Sequence, residues 1–212
     1  VVWGGASYGG EISCTIGGPT CHPVSQAALS SGVRTVSSTP SAFAATKTDG
    51  SVVTWGQTAD GGDAACTPAS DCTPAPVGSL SSGVAEVRGS SKAFAALKSD
   101  GTVVAWGDPT YGGDAASPVG GALTNITAVV PGSTAFAAIK QDGSVVTWGD
   151  EGGGGDFNCA SSGCTPVPNS GSLAAGVTSI SSTSLSAAGS QANVGAFAAL
   201  KDDGSVVTWG DT

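Results

Sequence analysis

The sequence predicts an all-β chain assembled from repeated sheet blades, and three observations carry that expectation. A sixteen-residue segment recurs four times: "AFAATKTDGSVVTWGQ" from Ala42, "AFAALKSDGTVVAWGD" from Ala93, "AFAAIKQDGSVVTWGD" from Ala135 and "AFAALKDDGSVVTWGD" from Ala196. The tryptophans Trp3, Trp55, Trp106, Trp148 and Trp209 follow one another at spacings of 52, 51, 42 and 61 residues. Glycine is abundant at 34 residues, charged residues make up only 11%, and the apolar 40% is largely Ala and Val. That composition suits close-packed strands joined by tight turns, and a disordered chain would carry more charge and less apolar content.

The elements of each unit follow in a fixed order. After a Trp-Gly step comes a glycine-rich loop, then a Pro-Val step at Pro23, Pro76, Pro118 and Pro166. A short strand follows in "LSSGVRTV" from Leu29, "LSSGVAEV" from Leu80, "LTNITAVV" from Leu123 and "LAAGVTSI" from Leu173. The hairpin closes the unit. Two irregularities in the spacing have local causes. The 42-residue unit lacks a Cys-bounded loop that the others have, and the 61-residue unit carries about ten extra residues in "SSTSLSAAGSQANVG" at 181–195.

Asp-Gly between apolar runs is a strong hairpin signal, because a two-residue type I′ turn needs positive φ at both central positions. With Asp100 and Gly101 in those places, Ser99 faces Thr102, Leu97 faces Val104 and Ala95 faces Trp106. A small residue opposite the largest one would let sheets interlock. Three or four short strands in a unit of roughly fifty residues is the pattern of a propeller blade. The expected organisation is one repeat domain over 1–212, with repeats at approximately 4–55, 56–106, 107–148 and 149–209, and 1–3 as the tail of a preceding repeat. Because the chain begins halfway through a hairpin, at "VVWGG", it is expected to be a segment of a longer propeller.

The pattern "AFAALK.DGSVVTWGD…YGGD" followed by "P.PV..L..GV..V" resembles the repeat of the regulator of chromosome condensation family. The resemblance covers the whole chain and implies a β-propeller, in that family usually of seven blades. This sequence is more alanine-rich, has "YGGD" or "DGGD" where the family tends to a "GQLG"-like step, and adds cysteines. Roles known in the family include a guanine nucleotide exchange factor, a secreted bacterial β-lactamase inhibitor of the same propeller type, and a plant ultraviolet-B photoreceptor. Each repeat here has one Trp with no second beside it, so core packing is the expected role rather than a light-sensing cluster.

Six cysteines form three local pairs: Cys14 with Cys21, Cys66 with Cys72, and Cys159 with Cys164. The first of each pair lies eleven residues after its tryptophan, and Ser117 holds that offset in the unit without cysteines. Disulfides pinning three equivalent loops are expected, since zinc would need two pairs to converge from separate blades. Paired cysteines imply an oxidising compartment: extracellular, cell-surface or an organelle lumen. "NIT" at Asn125 is a glycosylation sequon consistent with that compartment.

The net charge of −9 and a pI near 4.1, with seven scattered Lys and Arg, argue against nucleic-acid binding. No stretch approaches the length of a membrane span. A catalytic site would need reactive residues that break the repeat, and few exist. His22 is the one histidine, read as a solvated loop residue, with no nucleophile, base and orienting group to form a catalytic set. No enzyme activity and no cofactor are expected. Acidic residues in the glycine-rich loops, Glu11, Asp63, Asp108, Asp114, Asp150 and Asp156, fix turns by accepting amide hydrogen bonds, the alternative for Asp108, Asp114, Asp150 and Asp156 being calcium ligation.

The expected function is a non-enzymatic propeller scaffold that binds a protein partner or serves as a subunit of an extracellular or lumenal assembly. Ser184, Leu185 and Gln191, in the extra residues, are the expected contacts, because loops on a rigid frame are the usual site of recognition. The alternatives are a regulatory binder of the inhibitor or exchange-factor kind, and a carbohydrate-binding or cell-wall protein using Tyr8, Tyr111 and Phe157.

Overall fold

The computed structural model describes residues 21–66, 71–115, 123–155, 164–165, 170–183 and 195–211. Fourteen strands in these residues form four antiparallel sheets. The first sheet has the order β1 (Cys21–His22), β4 (Val52–Gln57), β3 (Ala42–Lys47), β2 (Val33–Ser38). The second joins β5 (Val84–Gly89), β6 (Ala93–Lys98) and β7 (Val103–Gly107), and the third joins β8 (Ile126–Pro131), β9 (Ala135–Lys140) and β10 (Val145–Gly149). The fourth has the order β11 (Cys164–Thr165), β14 (Val206–Asp211), β13 (Ala196–Lys201), β12 (Val177–Ser182).

The hairpin turn differs from the expected type I′. Lys98 N donates to Thr102 O at 2.8 Å, Gly101 N donates to Lys98 O at 3.0 Å, and of the central residues Gly101 takes positive φ, at 78°. This is a three-residue loop in which a type I turn ends in a left-handed glycine bulge. Asp100 stays in ordinary backbone space and uses its Oδ1 to accept from Thr102 N at 2.9 Å and Thr102 Oγ1 at 2.6 Å. Asp49, Asp142 and Asp203 hold Ser51, Ser144 and Ser205 in the same way.

The extra loop residue moves the register by one position. Leu97 faces Val103, Ala95 faces Ala105, and Trp106 faces Phe94 rather than Ala95. The paired rings stack, with centroids 5.3 Å apart in Phe43–Trp55, Phe94–Trp106, Phe136–Trp148 and Phe197–Trp209. Small-against-large packing does occur, but between sheets. Ala42 and Ala44 of the first sheet lie in one core with Val84, Val87, Phe94 and Trp106 of the second. Ala93 and Ala95 do the same with Ile126, Val129, Phe136 and Trp148, and Ala135 and Ala137 with Val177, Ile180, Phe197 and Trp209.

Each of the first three sheets thus offers an alanine-lined face to the aromatic face of the next. The leading strands also touch in succession: Ser37 Oγ donates to Val87 O at 2.6 Å, and Ser182 Oγ to Pro131 O at 2.6 Å. Successive face-to-face antiparallel sheets of three or four strands make this an all-β propeller segment.

The outer edges of the blades explain the cysteine loops. Cys66 and Cys72 form a disulfide with a Cα separation of 6.0 Å. Directly after it, Thr73 exchanges backbone hydrogen bonds with Gly107, at 2.7 and 3.1 Å. His22, after Cys21, pairs with Gly56, and Thr165, after Cys164, pairs with Gly210. In three sheets, therefore, the residue after the second cysteine meets the glycine of the Trp-Gly step. The Cys66–Cys72 bridge thus ties the loop that follows the first sheet to the residue that pairs with the edge of the second.

Candidate functional site

The repeat places its polar chemistry at the joints between blades. The indole Nε1 of Trp106 donates to Gly61 O at 3.0 Å, Trp148 to Gly112 O at 3.0 Å, and Trp209 to Gly154 O at 3.2 Å. Each glycine belongs to the loop after the preceding blade, so "DGGD", "YGGD" and "GGGD" are sockets for the next blade's aromatic pair. A Cβ on Gly61 would lie 2.6 Å from Phe94, and one on Gly112 would lie 2.6 Å from Phe136. These glycines also have φ near +90°, a conformation glycine adopts without steric cost.

The loop carboxylates are engaged in turns. Asp108 Oδ1 accepts from Thr110 N at 2.9 Å and caps a 3-10 turn, Pro109–Tyr111. Asp150 Oδ2 accepts from Gly153 N at 3.0 Å and from Thr134 Oγ1 at 3.4 Å. Asp63 Oδ1 accepts from Ala65 N at 2.8 Å, while its Oδ2 lies 3.6 Å from His22 Nδ1. Asp114 is part-buried at the end of its socket, and Asp156 and Glu11 lie outside the described residues. Among the described residues no group of three or more His, Cys, Asp or Glu is placed to hold a metal ion.

Sequence reasoning missed Asp60. It aligns with Tyr111 and Gly153, so nothing in the repeat marks it, yet its side chain is buried at the first joint. Burial raises its carboxyl above the ordinary value, and the neighbouring Asp108 adds to this, while a hydrogen bond with Ser41 and the charge of Lys92 oppose it. Lys92 also sits over the ring of Tyr111, its Nζ 4.9 Å from the centroid. Tyr111, a candidate sugar platform, is therefore partly buried and capped by a cation. Tyr8 and Phe157 lie outside the described residues.

Lys98 and Lys47 serve the frame, donating to Ser79 O and Ala28 O at 2.8 and 2.9 Å. Asn125 is exposed with φ at 58°, and Gly32, Gly83 and Gly176 hold its position in the other blades at 70°, 74° and 77°. Asparagine is among the few residues besides glycine that tolerate this geometry. The sequon's Thr127 donates its hydroxyl to Ile139 O at 3.1 Å. Cys21 is disulfide-bonded, and Cys14 and Cys159 lie outside the described residues.

Ser184, Leu185 and Gln191 also lie outside the described residues, but the neck of their loop is defined. Thr183 N donates to Ala196 O at 2.9 Å, and Ala196 N donates to Thr183 Oγ1 at 3.0 Å. The same closure joins Thr39 to Ala42 and Ser90 to Ala93, where two residues lie between. The extra residues therefore start after Thr183. Ser181 and Ser182, counted with them from the sequence, belong to strand β12.

No family model matches the chain, and no curated protein sequence matches it. Among solved structures it is similar to the CRINKLY WD40 ectodomain of the Arabidopsis thaliana receptor kinase ACR4, with a TM-score of 0.49 and 14% identity over 84% of this chain and 53% of that one. It is similar to Prp20p from Saccharomyces cerevisiae, with a TM-score of 0.49 and 16% identity over 84% and 45%. Human WBSCR16 gives a TM-score of 0.41 and 17% identity over 84% and 47%. The chain spans about half the length of these structures.

Proposed function

We propose that this chain is a non-enzymatic scaffold of regulator-of-chromosome-condensation-type repeats, with units at 4–55, 56–106, 107–148 and 149–209, that binds another protein in an extracellular or lumenal compartment. The observation that carries the reading is the closed neck at Thr183 and Ala196. The longest departure from the repeat leaves the frame where the first two blades need only a two-residue turn, so it serves something other than the fold. Ser184, Leu185 and Gln191 are the contacts we assign to it. The Cys66–Cys72 disulfide supports an oxidising compartment, and the exposed Asn125 is the glycan acceptor we assign to that setting.

The test replaces residues 184–195 with Ser-Lys, the turn of the second blade, and compares capture of partners from the native source with the wild-type chain. Loss of a specific captured protein at an unchanged melting temperature is the expected result. Undiminished capture would refute the reading.

A further inference from the structure

We propose that the joint between the first and second sheets is a latch worked by one proton on Asp60, closed while that proton is held and loosened as pH rises. The joint is internal to the chain, formed by two sheets that already pack on one another.

Asp60 ends a 3-10 turn, Thr58–Asp60, in the loop after β4, and it is 5% exposed. The next residue, Gly61, holds φ at 89° and gives its carbonyl to the indole of Trp106 at 3.0 Å. From the first sheet, Thr39 Oγ1 donates to Asp60 O at 3.5 Å, and Ser41 hydrogen-bonds the carboxyl. From the second sheet come Lys92, in the turn between β5 and β6, and Asp108, directly after β7. Tyr111 lies beneath Lys92, whose Nζ is 4.9 Å from the ring centroid. Asp63, three residues on, is directed elsewhere, to Ala65 N and His22. The charged groups that act on the Asp60 carboxyl are therefore Lys92 and Asp108.

Two carboxyls and one ammonium thus meet across this joint. With all three ionised they carry one uncompensated negative charge, and with a proton on Asp60 they balance. Burial disfavours a carboxylate, and the charge of Asp108 acts in the same sense, so the closed joint holds the proton more tightly than the unfolded chain does. A carboxyl raised on folding stabilises fully below its unfolded value, and that contribution goes as pH rises through the folded one. The loss falls on the joint itself. Asp60 adjoins the carbonyl that receives Trp106, and opening the joint lets water reach the carboxylate and moves Asp108 away from it.

The other two joints lack these groups. Tyr111 and Gly153 hold the place of Asp60 in the repeat, and Thr134 and Gly195 hold that of Lys92. Their plugs are nevertheless the same: Trp148 donates to Gly112 O at 3.0 Å and Trp209 to Gly154 O at 3.2 Å. The second joint is therefore a control for the first within one molecule.

Hydrogen exchange of the indole N–H groups, followed by NMR on the 212-residue chain, tests this. Intrinsic exchange is common to the indoles and cancels in the ratio of Trp106 to Trp148 protection. That ratio is expected to fall as pH is raised from about 4 to about 8, by about tenfold for each pH unit that separates the unfolded and folded titrations of Asp60. Asp60→Asn keeps the shape of the side chain and should hold the ratio constant. Two further variants carry the test even where Asp60→Asn does not fold. Lys92→Gln removes the opposing charge and should deepen the fall, whereas Asp108→Asn removes the like charge and should make it shallower. A ratio that does not change with pH, or a fall that survives Asp60→Asn, would overturn the proposal. So would Lys92→Gln and Asp108→Asn acting in the same direction.

Discussion

The indole of Trp106 donates to the carbonyl of Gly61, 45 positions earlier in the chain and one blade away, at 3.0 Å. That bond and its two copies turn each Trp-Gly step into the plug for the preceding Gly-Gly loop. The joint repeats along the chain: the aromatic pairs of the second, third and fourth sheets are buried against the sheet and loop before them.

Gly61→Ala should be far more costly than Gly78→Ala. Both positions have positive φ, at 89° and 77°. Placing Ala in the left-handed region costs about 1–2 kcal/mol in either case. At Gly78 a Cβ meets nothing within 4 Å, whereas at Gly61 it meets the Phe94 ring at 2.6 Å. Overpacking should add about 1–3 kcal/mol at Gly61 alone. Urea unfolding of the two variants checks the difference, and equal losses would mean that the socket does not govern stability.

The four turn aspartates should contribute to the acid sensitivity of the fold. Asp49, Asp100, Asp142 and Asp203 are held below the ordinary value of 3.8, chiefly by the hydroxyl of the Ser or Thr two positions on, then by its backbone amide. A carboxyl lowered on folding contributes stability that is present above its unfolded value and is lost as pH falls through the folded one. Melting temperature measured from pH 5 to pH 2 should therefore drop. Replacing all four Asp with Ala should lower it at pH 5 and flatten the drop.

Asp60 should behave in the opposite sense. Its carboxyl is raised, mainly by burial, so its stabilising contribution is complete below the unfolded value and disappears as pH rises through the folded one. Asp60→Asn should then melt above the wild type at pH 7, with the gap closing below about pH 3.8, where Asp is protonated in both states. A lower melting temperature for Asp60→Asn at pH 7 would show that the hydrogen bond with Ser41 and the charge of Lys92 outweigh the cost of burial.

Reducing Cys66–Cys72 should cost about 2 kcal/mol by the loop-entropy estimate for so short a ring. The loss should appear as a lower urea midpoint for Cys66→Ser with Cys72→Ser. Because Thr73 anchors to Gly107 directly after the bridge, amide exchange at Thr73 should rise first, ahead of the hairpin β6–β7.

Much of this architecture was legible from residues alone. Four near-identical hairpins and the tryptophan spacing predict sheet blades, because strand periodicity and turn chemistry are local properties of the chain. The Asp-Gly step fixes where each turn lies but not its type. Nothing in "KSDGT" says whether Asp100 or only Gly101 takes positive φ, and that one residue decides whether Trp106 faces Ala95 or Phe94. The reason the Gly-Gly loops are glycine was likewise hidden, since the aromatic pair that excludes a Cβ arrives from the next repeat.

The sequence by itself determined the repeat, the β class, the position of each hairpin and the pairing of Cys66 with Cys72, all of which depend on residues close in the chain. Only the tertiary structure decided what lies across a joint. Trp106 beside Gly61, and Asp60 beside Lys92 and Asp108, depend on how one sheet packs on the next. That packing is fixed by burial and close approach between segments tens of residues apart, which a local pattern does not encode.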